Sequence, residues 1–131
     1  MDPETLAALR DRLSAHDSLV EVGIGRRPAL AAALAEAGCA VVATDIRDRE
    51  TPAGVTFVRD DVTDPDLALY RHADAVYALN LPPELHRPTR EVARAVDAGF
   101  YFTTLGGDPA TVPVERETLP GETLYAAVDR R

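Results

Sequence analysis

Short apolar runs alternate along the chain with helix-like segments, and this alternation limits the folds available to it. The runs have the length of strands and lie at Leu19–Ile24, Ala40–Ile46, Val55–Val58, Ala75–Leu79 and Phe100–Leu105. Strands that are apolar on both sides must be covered on both sides, which is typical of a parallel sheet between helices. With right-handed crossovers, the sequence predicts an α/β fold whose mostly parallel, doubly wound, Rossmann-like sheet forms three layers, α-β-α.

The segments around these runs carry helix signals. Asp2 followed by Pro3 is typical of a helix start and predicts an N-terminal helix within residues 1–16. Periodic apolar residues predict two more helices, at Pro28–Ala37 and Pro83–Ala98. These two helices supply crossovers between successive strands of the predicted sheet.

The remaining sequence adds little regular structure. After Leu105 we expect an irregular stretch and one last strand at Leu124–Val128, which leaves little room for a second ligand. The length of 131 residues fits one domain, 1–131, with the sheet and its helices over 19–128. Because no apolar run has the length of a membrane span and no leader is recognised, we expect a cytoplasmic protein without membrane contacts.

The charge balance disfavours one large class of partners. Twenty-two acidic residues oppose fourteen basic ones, all of them arginine, and the formal net charge is −8. A nucleic-acid platform needs a basic surface, so we expect no direct nucleic-acid partner. An acidic, lysine-free surface suits a halophilic protein, because concentrated salt screens the repulsion between its carboxylates. A genome rich in alanine, arginine and aspartate codons is the alternative explanation.

Disulfide and metal chemistry have few candidate residues. Cys39 is the single cysteine, so we expect no internal disulfide, and its position at the start of a strand predicts a buried thiol. His16, His72 and His86 lie in different segments without the spacing of metal ligands. We therefore expect no metal site, and histidines at the surface or partly buried.

The first strand leads into a turn with two glycines, Gly23 and Gly25, in the stretch LVEVGIGRRP. Glycine permits a sharp turn and the close approach of a ligand to the backbone. The third glycine of dinucleotide-binding turns is missing, since Arg27 and Pro28 occupy its two usual positions. The turn alone does not decide between a dinucleotide, S-adenosylmethionine and no ligand.

Acidic residues end the next two strands. Asp45 lies twenty positions after Gly25, where a Rossmann-like domain places a carboxylate for ribose hydroxyls. Asp60 and Asp61 follow the third strand, where a carboxylate can accept a hydrogen bond from an adenine amino group. Together with the glycine turn, these strand ends form one rim of the predicted sheet, and this rim favours an adenosine-containing ligand. Helix capping and solvated turns are the alternative roles for the three acids.

Glu21 and the neighbouring arginines favour different adenosine ligands. Glu21 stands two residues before Gly23, and this pattern resembles the E/D-x-G-x-G motif of class I S-adenosylmethionine-dependent methyltransferases. The resemblance implies a carboxylate that helps to bind the ammonium group of the methionine moiety. Arg26 and Arg27 suit a phosphate, as in NAD, or are plain surface charges. S-adenosylmethionine is therefore the first cofactor candidate, with NAD as the alternative.

Several motifs together resemble one family. VEVGIG, TDI, FVRDDV, LALYRHADAVYAL and PPEL, in this order and spacing, look like the small archaeal proteins of uncharacterised protein family 0146. The similarity runs from Leu19 to Tyr125. It implies a compact class I methyltransferase-like fold, and it implies a pocket made by Glu21, Gly23, Gly25, Asp45, Asp60 and Asp61.

Asn80 opens the stretch NLPP after the fourth strand. It resembles the NLPY-type motif of amino-methyltransferases, which implies an amide that holds a target nitrogen at the same rim. Glu84 stands where that motif places an aromatic residue. The alternative is that the two prolines simply end a strand and start a helix.

Three functions are consistent with these residues. They are an S-adenosylmethionine-binding, methyltransferase-like protein; a regulatory module that binds NAD or an adenine nucleotide; and a ligand-free interaction scaffold. For the first two we expect a small nucleoside-like ligand. A homodimer or a partner chain is expected to complete the site, because the sequence shows no place for a methyl acceptor.

Salt tests the interpretation of the acidic composition. If the surface is a halophilic adaptation, we expect the melting temperature to rise as potassium chloride increases from low to molar concentration. Differential scanning calorimetry across this series measures the effect. A melting temperature that stays constant or falls would support the codon-composition explanation.

Overall fold

The computed structural model describes residues 1–128, which contain one seven-stranded sheet. In chain order the strands are β1 (Ser18–Val22), β2 (Ala40–Asp45), β3 (Val55–Arg59), β4 (Ala75–Ala78), β5 (Gly99–Phe102), β6 (Val114–Leu119) and β7 (Glu122–Ala127). Their spatial order is β3-β2-β1-β4-β5-β7-β6. Strands β1 to β5 pair in parallel, whereas β7 is antiparallel to both of its neighbours. The predicted doubly wound, mostly parallel α/β sheet is confirmed.

Helices cover both faces of this sheet. They are α1 (Pro3–Leu13), α2 (Ala29–Glu36) and α3 (Pro83–Ala95), with a short 3-10 helix at Leu67–Leu69. Alternation along β1 separates the two faces, because successive side chains of a strand point in opposite directions. Leu19 packs with residues of α1 and α2, and Val20 packs with residues of α3. The three α-β-α layers are therefore present.

The ends of two helices differ from the sequence prediction for local reasons. Pro28 is the N-cap of α2, so this helix begins at Ala29. The third helix ends before Ala98, because Asp97 adopts a left-handed conformation with a φ of 57°. The backbone N–H of Ala98 then bonds back to the carbonyl of Ala93 at 2.8 Å, which closes the helix end. Within residues 1–128, none of the helices has the length and apolarity to cross a membrane.

The chain after Leu105 holds two strands rather than the single one expected. β6 and β7 form an antiparallel hairpin, and β7 spans Glu122–Ala127 instead of Leu124–Val128. The sequence did not predict β6, because this strand, VERETL, has three charged residues and no fully buried position. It lies at the edge of the sheet, where a strand needs no continuous apolar run.

His86 is fully buried, which corrects the expectation of a surface or partly buried side chain. Its Nδ1 accepts the backbone N–H of Thr111 at 3.1 Å, so Nε2 is the atom that donates to the carbonyl of Leu81 at 2.9 Å. The ring also packs against Phe102, with 4.5 Å between centroids. His86 thus ties the segment between β5 and β6 to the start of α3.

Cys39 is half-buried rather than buried. It directly precedes β2, and its thiol donates to the carbonyl of His16 with an Sγ to oxygen distance of 3.4 Å. Burial is the main cause that raises the pKa of this thiol above its ordinary value. The thiol therefore has a structural contact with the segment before β1.

The β6–β7 hairpin is fastened to α1. The hydroxyl of Thr5 donates to the carbonyl of Pro120 at 2.5 Å, and Arg12 forms a two-pronged ion pair with Glu117 at 2.8 to 3.1 Å. Gly121 completes the turn with a φ of 71°, and a Cβ at this position would lie 2.7 Å from the Thr5 hydroxyl. The start of the chain is therefore held beside the turn near its end.

Replacement of Gly121 by alanine tests this contact. Gly106→Ala is the matched control, because Gly106 has a φ of 60° and open space around its Cβ position. Both variants strain the backbone, but only Gly121→Ala also pushes against Thr5. We expect Gly121→Ala to lower the unfolding free energy by about 1–3 kcal/mol more than the control, as for an overpacked site. Denaturant unfolding followed by circular dichroism measures the difference, and equal losses would contradict the tight contact.

Candidate functional site

The carboxyl ends of β1, β2 and β4 meet at one edge of the sheet, where the chain turns to opposite sides. β1 pairs in parallel with β2 on one side and with β4 on the other, so a crevice opens above β1. A cavity of about 290 Å³ lies there, and we call it the glycine-loop cavity. It is lined by Glu21, Gly23, Ile24, Gly25, Arg26, Arg27, Leu79, Asn80 and Leu105.

The glycine turn is held by the neighbouring strand. The backbone N–H groups of Gly23 and Ile24 both donate to the carbonyl of Thr44, at 2.9 and 3.0 Å, and the N–H of Gly25 donates to Oδ2 of Asp45 at 2.8 Å. Gly23 and Gly25 have φ values of 71° and 57°, which favour glycine. A Cβ on Gly23 would meet no atom within 4 Å. The backbone of the turn is therefore bare beside the cavity.

Asp45 is nearly buried and organises the end of β2. Its Oδ1 accepts the N–H of Arg47 at 3.0 Å, its Oδ2 accepts that of Gly25, and Nε of Arg49 lies 3.5 Å from Oδ2. The residue retains 7% of its accessible surface. Since each carboxylate oxygen can accept more than one hydrogen bond, Asp45 still has acceptor capacity for ligand hydroxyls.

Glu21 lies beneath the turn and retains 1% of its accessible surface. The hydroxyl of Tyr77 donates to its Oε1 at 2.6 Å, and within residues 1–128 Oε2 has no hydrogen-bond partner. Burial raises the pKa of Glu21 to about 7, and the bond from Tyr77 opposes part of that rise. A buried carboxyl with one unpaired oxygen beside a cavity is suited to receive a cationic group.

Asp60 and Asp61 border a separate shallow depression with Ile46 and Arg59, on the far side of β2. Asp60 accepts the N–H of Asp66 at 3.0 Å and the hydroxyl of Tyr70 at 2.8 Å.

Asp61 accepts both the N–H and the hydroxyl of Thr63, and these bonds lower its pKa. Both carboxylates therefore already accept hydrogen bonds from nearby residues of their own segment. The structure does not place either residue in the glycine-loop cavity.

Asn80 adopts a left-handed conformation, with a φ of 50°. Its N–H donates to the hydroxyl of Thr103 at 2.9 Å, and the next N–H, of Leu81, donates to the carbonyl of Thr103 at 2.9 Å. These two bonds fix Asn80 at the end of β4, beside the cavity. Glu84, by contrast, is exposed in the first turn of α3.

A second cavity, of about 620 Å³, adjoins the first, and we call it the α1–α2 cavity. It shares Arg26, Arg27, Leu79 and Asn80 with the glycine-loop cavity. Its other walls come from the starts of α1 and α2, the end of β5 and the β6–β7 turn: Met1, Asp2, Thr5, Leu9, Pro28, Ala29, Leu30, Thr103, Gly121 and Glu122. The structure thus has a second cavity beside the first, where the sequence led us to expect little room.

The sequence-predicted residues thus divide into two groups: one lies at the glycine-loop cavity, and the other, Asp60 and Asp61, lies outside it. Glu21, Gly23, Gly25 and Asn80 line one cavity, and Asp45 touches it through the N–H of Gly25. Sequence reasoning missed the wall from α1 and the hairpin, for which the turn dipeptide Pro120–Gly121 was the available signal. Within residues 1–128, no three His, Cys, Asp or Glu side chains are grouped to hold a metal ion.

Solved methyltransferase structures share this fold. An RNA methyltransferase from Salinibacter ruber in complex with S-adenosyl-L-homocysteine superposes with a TM-score of 0.67 at 16% identity, over 97% of this chain and 91% of that one. A TehB-like S-adenosylmethionine-dependent methyltransferase from Corynebacterium glutamicum gives a TM-score of 0.64 at 16% identity, over 95% and 86%. The compact class I methyltransferase-like architecture is confirmed.

Sequence relatives are closer. A UPF0146 protein of Halobacterium salinarum is 59% identical over 128 residues, or 97% of each chain. A UPF0146 protein of Archaeoglobus fulgidus is 47% identical over 90 residues, or 69% of each chain. The profile of the Uncharacterised protein family (UPF0146) matches residues 4–129. The chain therefore belongs to the Uncharacterised protein family (UPF0146).

Proposed function

We propose that the protein binds S-adenosylmethionine along the rim above β1 and β2 and uses it for methyl transfer. The observation that carries this proposal is the glycine turn itself. Its backbone is bare beside a cavity, Asp45 braces it from β2, and Glu21 lies beneath it. The similarity to methyltransferases whose structures contain S-adenosylhomocysteine supports the same ligand.

The residues on the rim fit the parts of this ligand. Asp45 has acceptor capacity for the ribose hydroxyls, and the unpaired Oε2 of Glu21 is available to the ammonium group. The adenine ring would lie in the depression of Asp60 and Asp61, against Ile46. This isoleucine is 61% exposed, which is unusual for a large apolar side chain and gives a flat ring an apolar contact.

NAD fits the same rim poorly. Its pyrophosphate would lie against the glycine turn, directly above the acidic side chain of Glu21. The similar solved structures include complexes with S-adenosylhomocysteine, and no comparison favours a nicotinamide ligand. We therefore keep S-adenosylmethionine as the single proposed cofactor.

Methyl transfer requires mainly that its two reactants are correctly positioned. When bound, S-adenosylmethionine supplies a methyl group on a positively charged sulfur: an acceptor lone pair bonds to the carbon while the carbon–sulfur electron pair returns to sulfur. The protein contributes by aligning the reactants and excluding water. The backbone of Asn80 is fixed between the two cavities, which supports a role for its side-chain amide in orienting an acceptor atom there.

We further propose a cytoplasmic protein adapted to high salt. The composition supports this, with a formal net charge of −8 and no lysine. The 59% identical relative in Halobacterium salinarum supports it as well.

Replacement of Gly23 by alanine tests the cofactor site. The added Cβ would enter open space beside the cavity, so we expect S-adenosylhomocysteine to bind at least about tenfold more weakly, a loss of about 1.4 kcal/mol. Gly38→Ala is the matched control: Gly38 also has a positive φ, of 97°, and open space around it, but it lies at the opposite end of α2. Isothermal titration calorimetry in the salt that stabilises the protein measures both affinities.

Two results would overturn the cofactor proposal. One is the absence of heat with millimolar S-adenosylmethionine or S-adenosylhomocysteine and wild-type protein, which favours the ligand-free scaffold. The other is equal weakening by Gly23→Ala and Gly38→Ala, which would place the ligand elsewhere.

Glu21 makes the binding of this cationic ligand dependent on pH. Its pKa of about 7 in the free protein means that about one-tenth of the molecules are ionised at pH 6 and about nine-tenths at pH 8. If the ammonium group requires the ionised form, affinity rises about tenfold over this interval and then levels off. Glu21→Gln should bind more weakly at pH 8 and show no such rise.

Calorimetry at pH 6, 7 and 8 measures this dependence. Glu36→Gln is the control, because Glu36 is exposed at the end of α2 and should keep the wild-type profile. An identical pH profile in wild type and Glu21→Gln would remove Glu21 from the binding site.

A further inference from the structure

The α1–α2 cavity has the size and position of a site for a second, small ligand. Its volume of about 620 Å³ lies within the range of small-molecule sites. Arg26, Arg27 and Asn80 border this cavity and the glycine-loop cavity alike. A molecule seated in it would therefore be adjacent to the methionine end of the proposed cofactor.

Two arginines give one wall of this cavity a positive charge. Arg26 and Arg27 are exposed, and within residues 1–128 neither makes a hydrogen bond or ion pair through its side chain. This occurs in a chain with eight more acidic than basic residues. The same cavity also contains two acids, Asp2 and Glu122, which lie at the start of α1 and in the hairpin and each accept one backbone N–H, from Glu4 and Thr123 respectively.

The start of α2 adds to the positive charge of the same wall. Its N-cap is Pro28, which makes no side-chain hydrogen bond, and its first turn contains no acidic residue. The other two α-helices differ, since α1 has both a capping aspartate and Glu4, and α3 has Glu84. The N–H groups at the start of an uncapped helix favour a negative group, and Ala29 and Leu30 of this first turn line the cavity.

We propose that the α1–α2 cavity binds the methyl acceptor, and that this acceptor is a small molecule with a carboxylate or phosphate group held by Arg26 and Arg27. The assignment rests on the proposed function, because the methyl group comes from the adjoining cavity. The acceptor atom lies near Asn80, bonds to the methyl carbon as the carbon–sulfur bond breaks, and passes its proton to water. A polyanion such as RNA is disfavoured by the net charge of −8, whereas a small anion needs only the local charge of the two arginines.

Amide NMR spectra of the 14.1 kDa chain test the anion site without requiring activity. Benzoate is titrated against its neutral counterpart benzamide, with and without saturating S-adenosylhomocysteine, in the lowest salt that preserves the folded spectrum. We expect saturable shifts of the amides of Arg27, Ala29, Leu30 and Asn80 with benzoate, and at least tenfold weaker binding of benzamide. A parallel titration with inorganic phosphate distinguishes the two anions.

Charge-matched variants locate the response. Arg26→Gln/Arg27→Gln should weaken benzoate binding at least tenfold. Arg71→Gln/Arg87→Gln removes the same charge from exposed positions, one after the 3-10 helix and one in α3, and should bind benzoate as the wild type does. Matching amide spectra of the two double variants in the absence of ligand verify that both are folded.

Each outcome separates the anion site from the cofactor site. S-adenosylhomocysteine binding without a response to benzoate or phosphate overturns the acceptor assignment and leaves the cofactor proposal intact. A response that benzamide reproduces, or that survives Arg26→Gln/Arg27→Gln, overturns it as well. A benzoate response confined to these amides without any binding of S-adenosylhomocysteine removes methyl transfer from the site.

Discussion

The turn after β1 depends on β2 for its shape, and the candidate site depends on that turn. One carbonyl, of Thr44, receives two N–H groups of the turn, and one carboxylate, of Asp45, receives a third. Without these acceptors three N–H donors of the turn would be unpaired, including that of the buried Ile24, and an unpaired buried donor is costly in a folded chain. The positive φ angles of Gly23 and Gly25 are what let the N–H groups converge on β2. Asp45 therefore has a structural role before any ligand arrives, and loss of this side chain affects the loop and the ligand together.

Glu21 is the clearest departure from what stability alone would select. Its neighbours on the same face of β1 and β2 are apolar, and they pack against α1 and α2. Burying a carboxyl among them disfavours the ionised form, which is why its pKa rises to about 7. Tyr77 satisfies one oxygen only. A polar group retained at an apolar position with incomplete hydrogen bonding is expected at a binding site, where a ligand completes the bonds.

The sequence was sufficient for the parallel half of the sheet. Strands β1, β2 and β4 are buried along most of their length on both faces, so their apolar runs are visible, and glycine or acidic residues mark the ends of β1 and β2. The sequence was insufficient where two residues that contact each other are far apart along the chain. Thr5 and Pro120 are 115 positions apart, and only the folded chain shows that their hydrogen bond brings the hairpin turn to α1, beside the α1–α2 cavity. His86 was misjudged for a related reason, because its two hydrogen-bond partners are backbone groups that no side-chain pattern reveals.

One short segment connects the two proposed ligands. Gly23 to Arg27 supplies the bare backbone of the glycine-loop cavity and the two arginines of the α1–α2 cavity, so both proposed ligands would contact the same turn. The turn is anchored at Gly23, Ile24 and Gly25, whereas the arginine side chains beyond it are free of partners within residues 1–128. The two cavities share Arg26, Arg27, Leu79 and Asn80, so a cofactor in the glycine-loop cavity would form part of the boundary of the α1–α2 cavity. The proposed acceptor site would then be complete only after the cofactor is in place, which favours binding of the cofactor first.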